Sequence, residues 1–217
     1  MPLDTIDIDT APQPRASMIV LHGLGADGND FVPVAQELDL SSVGGVRFVF
    51  PHSPTRPVTI NAGYVMPAWY DILGPGQPED EAGLRASQAL VAALIAREVA
   101  RGVPASRIVL AGFSQGCAMT LMTGLRETER LAGLACLSGY LPLAAQTAAE
   151  RNAHHDLPIF MAHGRSDGMI PIDRATASRD ALTALGYPVE WHEYPMQHSV
   201  CAAEIADLNR WLLRVVA

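Results

Sequence analysis

The chain has 217 residues, a net charge of −8 and a hydrophobic content of 49%. This length and composition predict one domain, residues 1–217, with a sizeable core, and they exclude wholesale disorder. All 15 basic residues are Arg, which excludes Schiff-base and lysine-nucleophile chemistry. An acidic chain without a basic run is not expected to bind nucleic acid.

The cysteines and the N-terminal sequence indicate whether the chain holds a metal and in which compartment it is found. Cys117, Cys136 and Cys201 are too few and too scattered for a disulfide framework, and none forms a CxxC pair. The sequence therefore predicts no metal site, and it indicates no cofactor. It has no cationic leader and no apolar run of the roughly 18 residues that span a bilayer. We expect a cytoplasmic protein without integral membrane contact, whose substrate can still lie at a membrane surface.

Short apolar runs alternate with longer helical patterns along the chain. In chain order the predicted elements are strands 17–21 and 46–50, helix 79–101, strand 107–111, helix 115–127, strands 133–137 and 158–162, helix 173–185, strand 188–194 and helix 200–216. Most of the strands lack polar alternation, which is typical of parallel strands covered on both faces. The alternation predicts an α/β fold with a mostly parallel sheet.

One segment, residues 51–78, departs from this alternation. It holds six prolines together with several large apolar residues. A Pro-rich excursion of this length is typical of a lid or binding loop, and Met66, Trp69, Ile72 and Leu73 are its predicted substrate-binding residues. The alternative is an ordered crossover whose aromatic residues fill the core.

Residues 112–116 read Gly-Phe-Ser-Gln-Gly and match the pattern G-x-S-x-G. The pattern lies between a predicted strand and a predicted helix, which is the strand–turn–helix setting that a nucleophile elbow requires. There a sharp turn presents the hydroxyl of Ser114 at the N-terminus of a helix, where partial positive charge favours a developing anion. We therefore predict that Ser114 is a nucleophile; the alternative is a glycine-rich turn.

A serine nucleophile needs a base and an orienting acid, in the chain order Ser, Asp or Glu, His. Of seven histidines, His198 is the predicted base because it lies in a loop after the last strand. His192 falls within that strand. Asp167 is the predicted acid because it follows strand 158–162 at the carboxyl edge of the sheet. Asp156 precedes that strand, and Asp173 lies in the first turn of a helix.

The third requirement is a pair of donors for an oxyanion. The sequence His22-Gly23-Leu24-Gly25 follows strand 17–21, and its glycines let backbone amides approach a bound oxygen. The predicted donors are the backbone amides of Leu24 and Gln115. A phosphate-binding loop is the alternative, but neither GxxxxGK[ST] nor GxGxxG occurs. Three elements in this order predict a serine hydrolase that forms an acyl-enzyme.

Five segments in order resemble the phospholipase/carboxylesterase family, which includes carboxylesterases and acyl-protein thioesterases. They are residues 21–28 (LHGLGADG), 56–61 (RPVTIN), 69–72 (WYDI), 112–116 (GFSQG) and 198–200 (HSV). The resemblance implies an α/β-hydrolase fold with a minimal cap or none, and cofactor-independent hydrolysis. It also implies the triad Ser114, Asp167 and His198, and the Leu24 and Gln115 amides as oxyanion donors. Cys117 departs from the family pattern, where a second glycine is frequent.

The predicted function is therefore hydrolysis of small-molecule or lipid esters with short to medium acyl chains. Acyl-protein thioesterase or lysophospholipase activity is the first alternative, because thioesters and oxoesters use the same machinery. A catalytically silent hydrolase fold that serves as a binding protein is a more distant one. The sequence leaves the oligomeric state open, with a homodimer as one expectation.

Overall fold

A computed structural model describes residues 2–217. The strands of the chain are β1 (Thr5–Asp9), β2 (Ala16–Leu21), β3 (Val46–Pro51), β4 (Thr55–Val58), β5 (Tyr64–Pro67), β6 (Ile108–Phe113), β7 (Gly133–Leu137), β8 (Ile159–Gly164) and β9 (Val189–Tyr194). The helices are α1 (Val32–Gln36), α2 (Glu81–Ala100), α3 (Gln115–Gly124), α4 (Ala144–Glu150), α5 (Ile172–Ala184) and α6 (Ala202–Val215). Short 3₁₀ turns occur at Ser41–Val43, Thr59–Asn61 and Ala105–Arg107.

The central sheet has seven strands in the order β1-β3-β2-β6-β7-β8-β9. β1 pairs antiparallel with β3, and every other neighbouring pair is parallel. Strands β2, β3, β6, β7 and β8 are almost entirely buried, which explains their continuous apolar sequences. The predicted mostly parallel sheet is confirmed.

Helices cover both faces of this sheet. Apolar residues of α2, α3 and α5, among them Leu84, Met119 and Leu182, pack on one face. Leu208 and Trp211 of α6 pack on the other face with Ala35 of α1. The glycines that follow α2 and α5, Gly102 and Gly186, have the left-handed φ values of 96° and 90° that are typical of a helix C-terminus. Among the helices of residues 2–217, none is long and apolar enough to cross a membrane.

The excursion from residue 51 to residue 78 is ordered. β4 and β5 form an antiparallel hairpin separate from the main sheet. After the hairpin, the Asp71 carboxylate accepts hydrogen bonds from the amide and hydroxyl of Thr59, at 2.7 and 2.5 Å. Asp80 caps α2 through the Gly83 amide (2.9 Å) and also accepts from the Asp71 amide (2.9 Å). These bonds attach the second half of the excursion to the loop of the hairpin and to the start of α2.

Candidate active site

Ser114 lies on a strained turn between the end of β6 and the start of α3. Its φ of 56° and ψ of −117° are unusual for a residue with a side chain. A Cβ atom on Gly112 would lie 2.3 Å from the backbone of Gly116, and one on Gly116 would lie 2.1 Å from the carbonyl oxygen of Leu21. Both flanking positions therefore require glycine. The turn has the geometry of a nucleophile elbow.

The candidate base, His198, and the candidate acid, Asp167, are hydrogen-bonded to each other. The Nδ1 atom of His198 lies 2.7 Å from Oδ2 of Asp167, and the other carboxylate oxygen accepts the amides of Met169 and Ile170 at 2.9 Å each. Burial raises the pKa of Asp167, but the hydrogen bonds from His198 and from these two amides outweigh it, so the net pKa is lowered. Asp167 is therefore a carboxylate that fixes the ring of His198.

Ser114 and His198 do not share a hydrogen bond in the described residues, 2–217, and they are linked through the residue before the serine. The ring of Phe113, which precedes the serine, lies 4.7 Å from the ring of His198 between centroids. Ser114 and His198 are both partly exposed at the carboxyl edge of the sheet. A serine–histidine bond often tightens only when substrate binds, so this arrangement is compatible with a catalytic pair.

The segment after β2 carries the predicted oxyanion donors. Across residues 2–217, neither the Leu24 amide nor the Gln115 amide donates to a protein acceptor, so both remain available. The segment is held from both sides, because the Gly25 amide donates to the carbonyl of Pro67 (2.9 Å) and Nδ1 of His22 bonds the Gly23 carbonyl (2.7 Å). Burial lowers the pKa of His22, which is therefore a neutral structural ring.

The four predicted substrate-binding residues have different surroundings. Met66 lies against the oxyanion segment, since a Cβ atom on Gly25 would be 3.7 Å from its sulfur. Leu73 is exposed, and Ile72 is partly buried against the core. The prediction that Trp69 presents apolar surface to a substrate is wrong, because its side chain is 0% exposed. Its indole donates to the carbonyl of His22 (2.9 Å), so Trp69 supports the oxyanion segment from inside.

Sequence reasoning missed a structural role of the Gln115 side chain. Its Oε1 accepts the amide of Trp69 (2.7 Å) and its Nε2 donates to the carbonyl of Tyr70 (2.8 Å). The residue after the serine thus joins the elbow to the excursion. The excursion has no repeated pattern that could have revealed this pairing in the sequence.

Met169 is a second residue that the sequence analysis did not select. It lies two residues after Asp167 and is 76% exposed. Its backbone amide donates to the Asp167 carboxylate (2.9 Å), so its exposed apolar side chain begins close to the candidate acid. Cys117, which departs from the family pattern, is buried, and its side chain fills the space that a Cβ atom on Gly139 would need. Within residues 2–217, no group of three or more His, Cys, Asp or Glu side chains is placed to hold a metal ion.

Replacing Trp69 with Phe tests its structural role. We expect Trp69→Phe to lower the free energy of unfolding by about 1–3 kcal/mol, because the His22 carbonyl loses its buried donor. Denaturant unfolding of the variant and the wild type measures the difference. The exposed aromatic Tyr64 supplies the control, and Tyr64→Phe should leave stability unchanged. Equal stability of Trp69→Phe and wild type would contradict the structural role.

A parallel sheet with a strained serine between a central strand and a helix defines an α/β-hydrolase. The model of the phospholipase/carboxylesterase family matches residues 7–215, and the chain belongs to this family. Acyl-protein thioesterase 1 of Yarrowia lipolytica is 37% identical over 97% of this chain and 96% of its own length. Acyl-protein thioesterase 1 of Neurospora crassa is 40% identical over 91% of this chain and 85% of its own.

Solved structures agree with these relatives. SOBER1 of Arabidopsis thaliana superposes with a TM-score of 0.88 at 30% identity, over 94% of this chain and all of that one. Acyl-protein thioesterase 2 of Zea mays gives a TM-score of 0.83 at 26% identity, over 99% of each chain. The chain is a hydrolase, and the family assignment made from its motifs is confirmed.

Proposed function

We propose that this hydrolase cleaves carboxylic esters of short to medium acyl chains through Ser114, His198 and Asp167. The observation that carries the proposal is the His198–Asp167 bond of 2.7 Å beside a serine held at φ 56°. No other described serine combines a strained elbow with this neighbouring pair. The substrate is a small-molecule or lipid ester.

The reaction proceeds in two acyl-transfer steps. Ser114 Oγ attacks the ester carbonyl while Nε2 of His198 takes the hydroxyl proton, and the amides of Leu24 and Gln115 receive the developing oxyanion. The His198 imidazolium, stabilised by the Asp167 carboxylate, then protonates the leaving alkoxide. A water molecule, deprotonated by His198, attacks the acyl-enzyme and releases the carboxylic acid and Ser114.

Acyl-protein thioesterase activity is the second candidate. Two acyl-protein thioesterases that are 37% and 40% identical to this chain favour it. The same triad serves a thioester, whose leaving group departs as a thiolate. The apolar side chain of Met66 beside the oxyanion segment is compatible with an acyl chain in either substrate.

A matched substrate series tests the proposal and separates the two candidates. Oxoesters and thioesters with the same acyl groups, from acetyl to palmitoyl, are hydrolysed by wild type and by Ser114→Ala in parallel. Higher kcat/KM on short and medium oxoesters supports the carboxylesterase, and a preference for long-chain thioesters supports the thioesterase. If a folded wild type hydrolyses neither series and is not labelled by a fluorophosphonate probe, a binding role replaces both.

The Met66 side chain provides a prediction about acyl-chain length. We expect Met66→Ala to lower kcat/KM for the longest accepted acyl chain by about tenfold, because it removes apolar surface beside the oxyanion segment. Acetyl ester hydrolysis should stay unchanged. Val65 precedes Met66 on β5, is 59% exposed and points to the opposite face, so Val65→Ala is the matched control. An equal loss on acetyl and long-chain esters would remove Met66 from the acyl site.

A further inference from the structure

A buried histidine lies beside the candidate acid, and the proposed mechanism does not use it. His163 is the fifth residue of β8 and is 0% exposed. Side chains alternate along a strand, so its ring shares a face with Ile159 and Met161, which belong to the part of the core that α5 covers. β8 ends one residue later, and the chain then enters the turn that carries Asp167.

The contacts of the His163 ring determine which nitrogen carries the hydrogen. Its Nε2 lies 2.8 Å from the carbonyl oxygen of Ile170 and 3.4 Å from Oδ2 of Asp167. Both of these atoms are acceptors, so Nε2 carries the hydrogen and donates it to the Ile170 carbonyl. Nδ1 is buried and has no partner within residues 2–217, so a hydrogen there would be a buried donor without an acceptor.

The turn that begins at Asp167 has little packing on its outer side. A Cβ atom on Gly168 would meet nothing within 4 Å, and the side chain of Met169 is 76% exposed. The amides of Met169 and Ile170 nevertheless hold Oδ1 of Asp167 at 2.9 Å each. The placement of these two donors therefore depends on how the end of the turn is fixed, and His163 fixes it through the Ile170 carbonyl.

The start of the same loop is attached to the segment that carries the base. The Ser166 amide donates to the carbonyl of Met196 (3.1 Å), two residues before His198. The loop is thus tied to the base segment at its start and to the ring of His163 at its end. Together the two attachments determine where the free oxygen of Asp167, Oδ2, points, and it lies 2.7 Å from Nδ1 of His198.

We propose that His163 is a positioning residue for the candidate acid: its Nε2 hydrogen holds the Ile170 carbonyl, so that the turn directs Oδ2 of Asp167 at His198. The inference rests on the proposed function, because it assigns a role toward the acid of the same reaction. Its consequence is that His163 supports turnover rather than substrate binding, and that it does so only through the carboxylate at position 167.

The kinetics of two substitutions at position 163 test the proposal. His163→Leu has no donor for the Ile170 carbonyl, and it should lower kcat by about 100-fold with KM unchanged, because the acid is misplaced. In His163→Gln an amide nitrogen reaches the same carbonyl, so kcat should stay within about threefold of wild type. A loss in His163→Gln as large as that in His163→Leu would overturn the proposal.

His192 supplies the matched control on the neighbouring strand. Its ring stacks on Phe160, on the sheet face opposite to that of His163, with 5.0 Å between centroids. His192→Leu should therefore keep the wild-type kcat. A loss in His192→Leu equal to that in His163→Leu would show that the kinetics respond to any histidine lost from this part of the sheet, and the specific role would be abandoned.

A double-mutant cycle separates a role through Asp167 from a general effect on the fold. In the Asp167→Asn background, His163→Leu should lower kcat by no more than about twofold, because the carboxylate through which it acts is already gone. Two independent effects would instead multiply. A further fall of about 100-fold in the double variant, with circular dichroism that shows a folded protein, would contradict the proposal.

A measurement on wild type keeps the test decisive if His163→Leu does not fold. Long-range proton–nitrogen NMR spectra of the imidazole rings identify the tautomer of His163. We expect hydrogen on Nε2, and hydrogen on Nδ1 would overturn the proposal, because the Ile170 carbonyl would then have no donor in this ring.

The low-field proton resonance between His198 and Asp167 gives a readout that does not need turnover. It should be present in wild type and in His163→Gln, and it should shift or disappear in His163→Leu. An unchanged resonance in a folded His163→Leu would overturn the proposal. If wild type hydrolyses no ester while this pattern is observed, the proposed function fails and the positioning role stands.

Discussion

Ser114→Ala should abolish ester hydrolysis, with a fall in kcat of about 10⁶. The alanine has no atom that can form the acyl-enzyme, so only the oxyanion amides and substrate binding remain to act on the ester. We expect the variant to fold, because Ser114 makes its hydrogen bonds through the backbone, from its amide to the carbonyl of Leu137 (2.9 Å) and from Ala118 to its carbonyl (3.2 Å). Steady-state kinetics measures the loss of turnover, and fluorophosphonate labelling measures the loss of the nucleophile.

Ser114→Gly is the matched control for backbone strain. Glycine adopts φ near 56° without the steric cost that a Cβ atom imposes, so this variant should be inactive and more stable than Ser114→Ala by about 1–3 kcal/mol. Denaturant unfolding of both variants gives the difference. Hydrolysis that survives in either folded variant would show that another residue is the nucleophile.

The order of elements and the elbow could be predicted from the sequence because they depend on local rules. Glycine at positions 112 and 116 follows from close backbone contacts, and the buried strands have continuous apolar sequences. His198 and Asp167 were selected by their positions after β9 and β8, and the structure joins them at 2.7 Å. Parallel strands bring such positions to one edge, so topology predicted their proximity without any knowledge of side-chain contacts.

β1 was missed for a different reason. Its sequence alternates Ile6 and Ile8 with Asp7 and Asp9, which is the pattern of a half-exposed edge strand. The N-terminal segment was considered only as a possible leader, and no strand was predicted there. Its acidic residues pair with distant arginines, such as Arg47 with Asp9 (2.7 Å) and Arg101 with Asp7 (2.6 Å). A strand stabilised by partners about 40 to 90 residues away has little local signal.

The excursion shows where sequence reasoning stopped. Its apolar residues indicated either a binding surface or a core, and each interpretation is correct for part of it. Trp69 is buried beneath the oxyanion segment, while Leu73 is exposed. The buried part of the excursion is held by the Gln115 side chain, which bonds the backbone of Trp69 and Tyr70. No periodicity in the segment records a contact made 45 residues away, because it is set by the tertiary fold.

Asp167→Asn should lower kcat by about 10⁴ while the fold is kept. An asparagine still has an oxygen for the amides of Met169 and Ile170, but its side chain cannot stabilise the imidazolium and favours the wrong tautomer of His198. Kinetics on the most reactive ester, with circular dichroism to confirm folding, measure the effect.

Two further measurements separate this role from a general effect of charge. Asp173 is an exposed carboxylate in the first turn of α5, close in sequence to the acid, and Asp173→Asn should leave kcat unchanged. The lowered pKa of Asp167 adds stability that is present above its unfolded pKa and is lost as the pH falls through the folded value. The stability difference between wild type and Asp167→Asn should therefore shrink in acid. If Asp173→Asn loses activity and Asp167→Asn keeps it, the orienting acid lies on α5, and the His198–Asp167 bond has only a structural role.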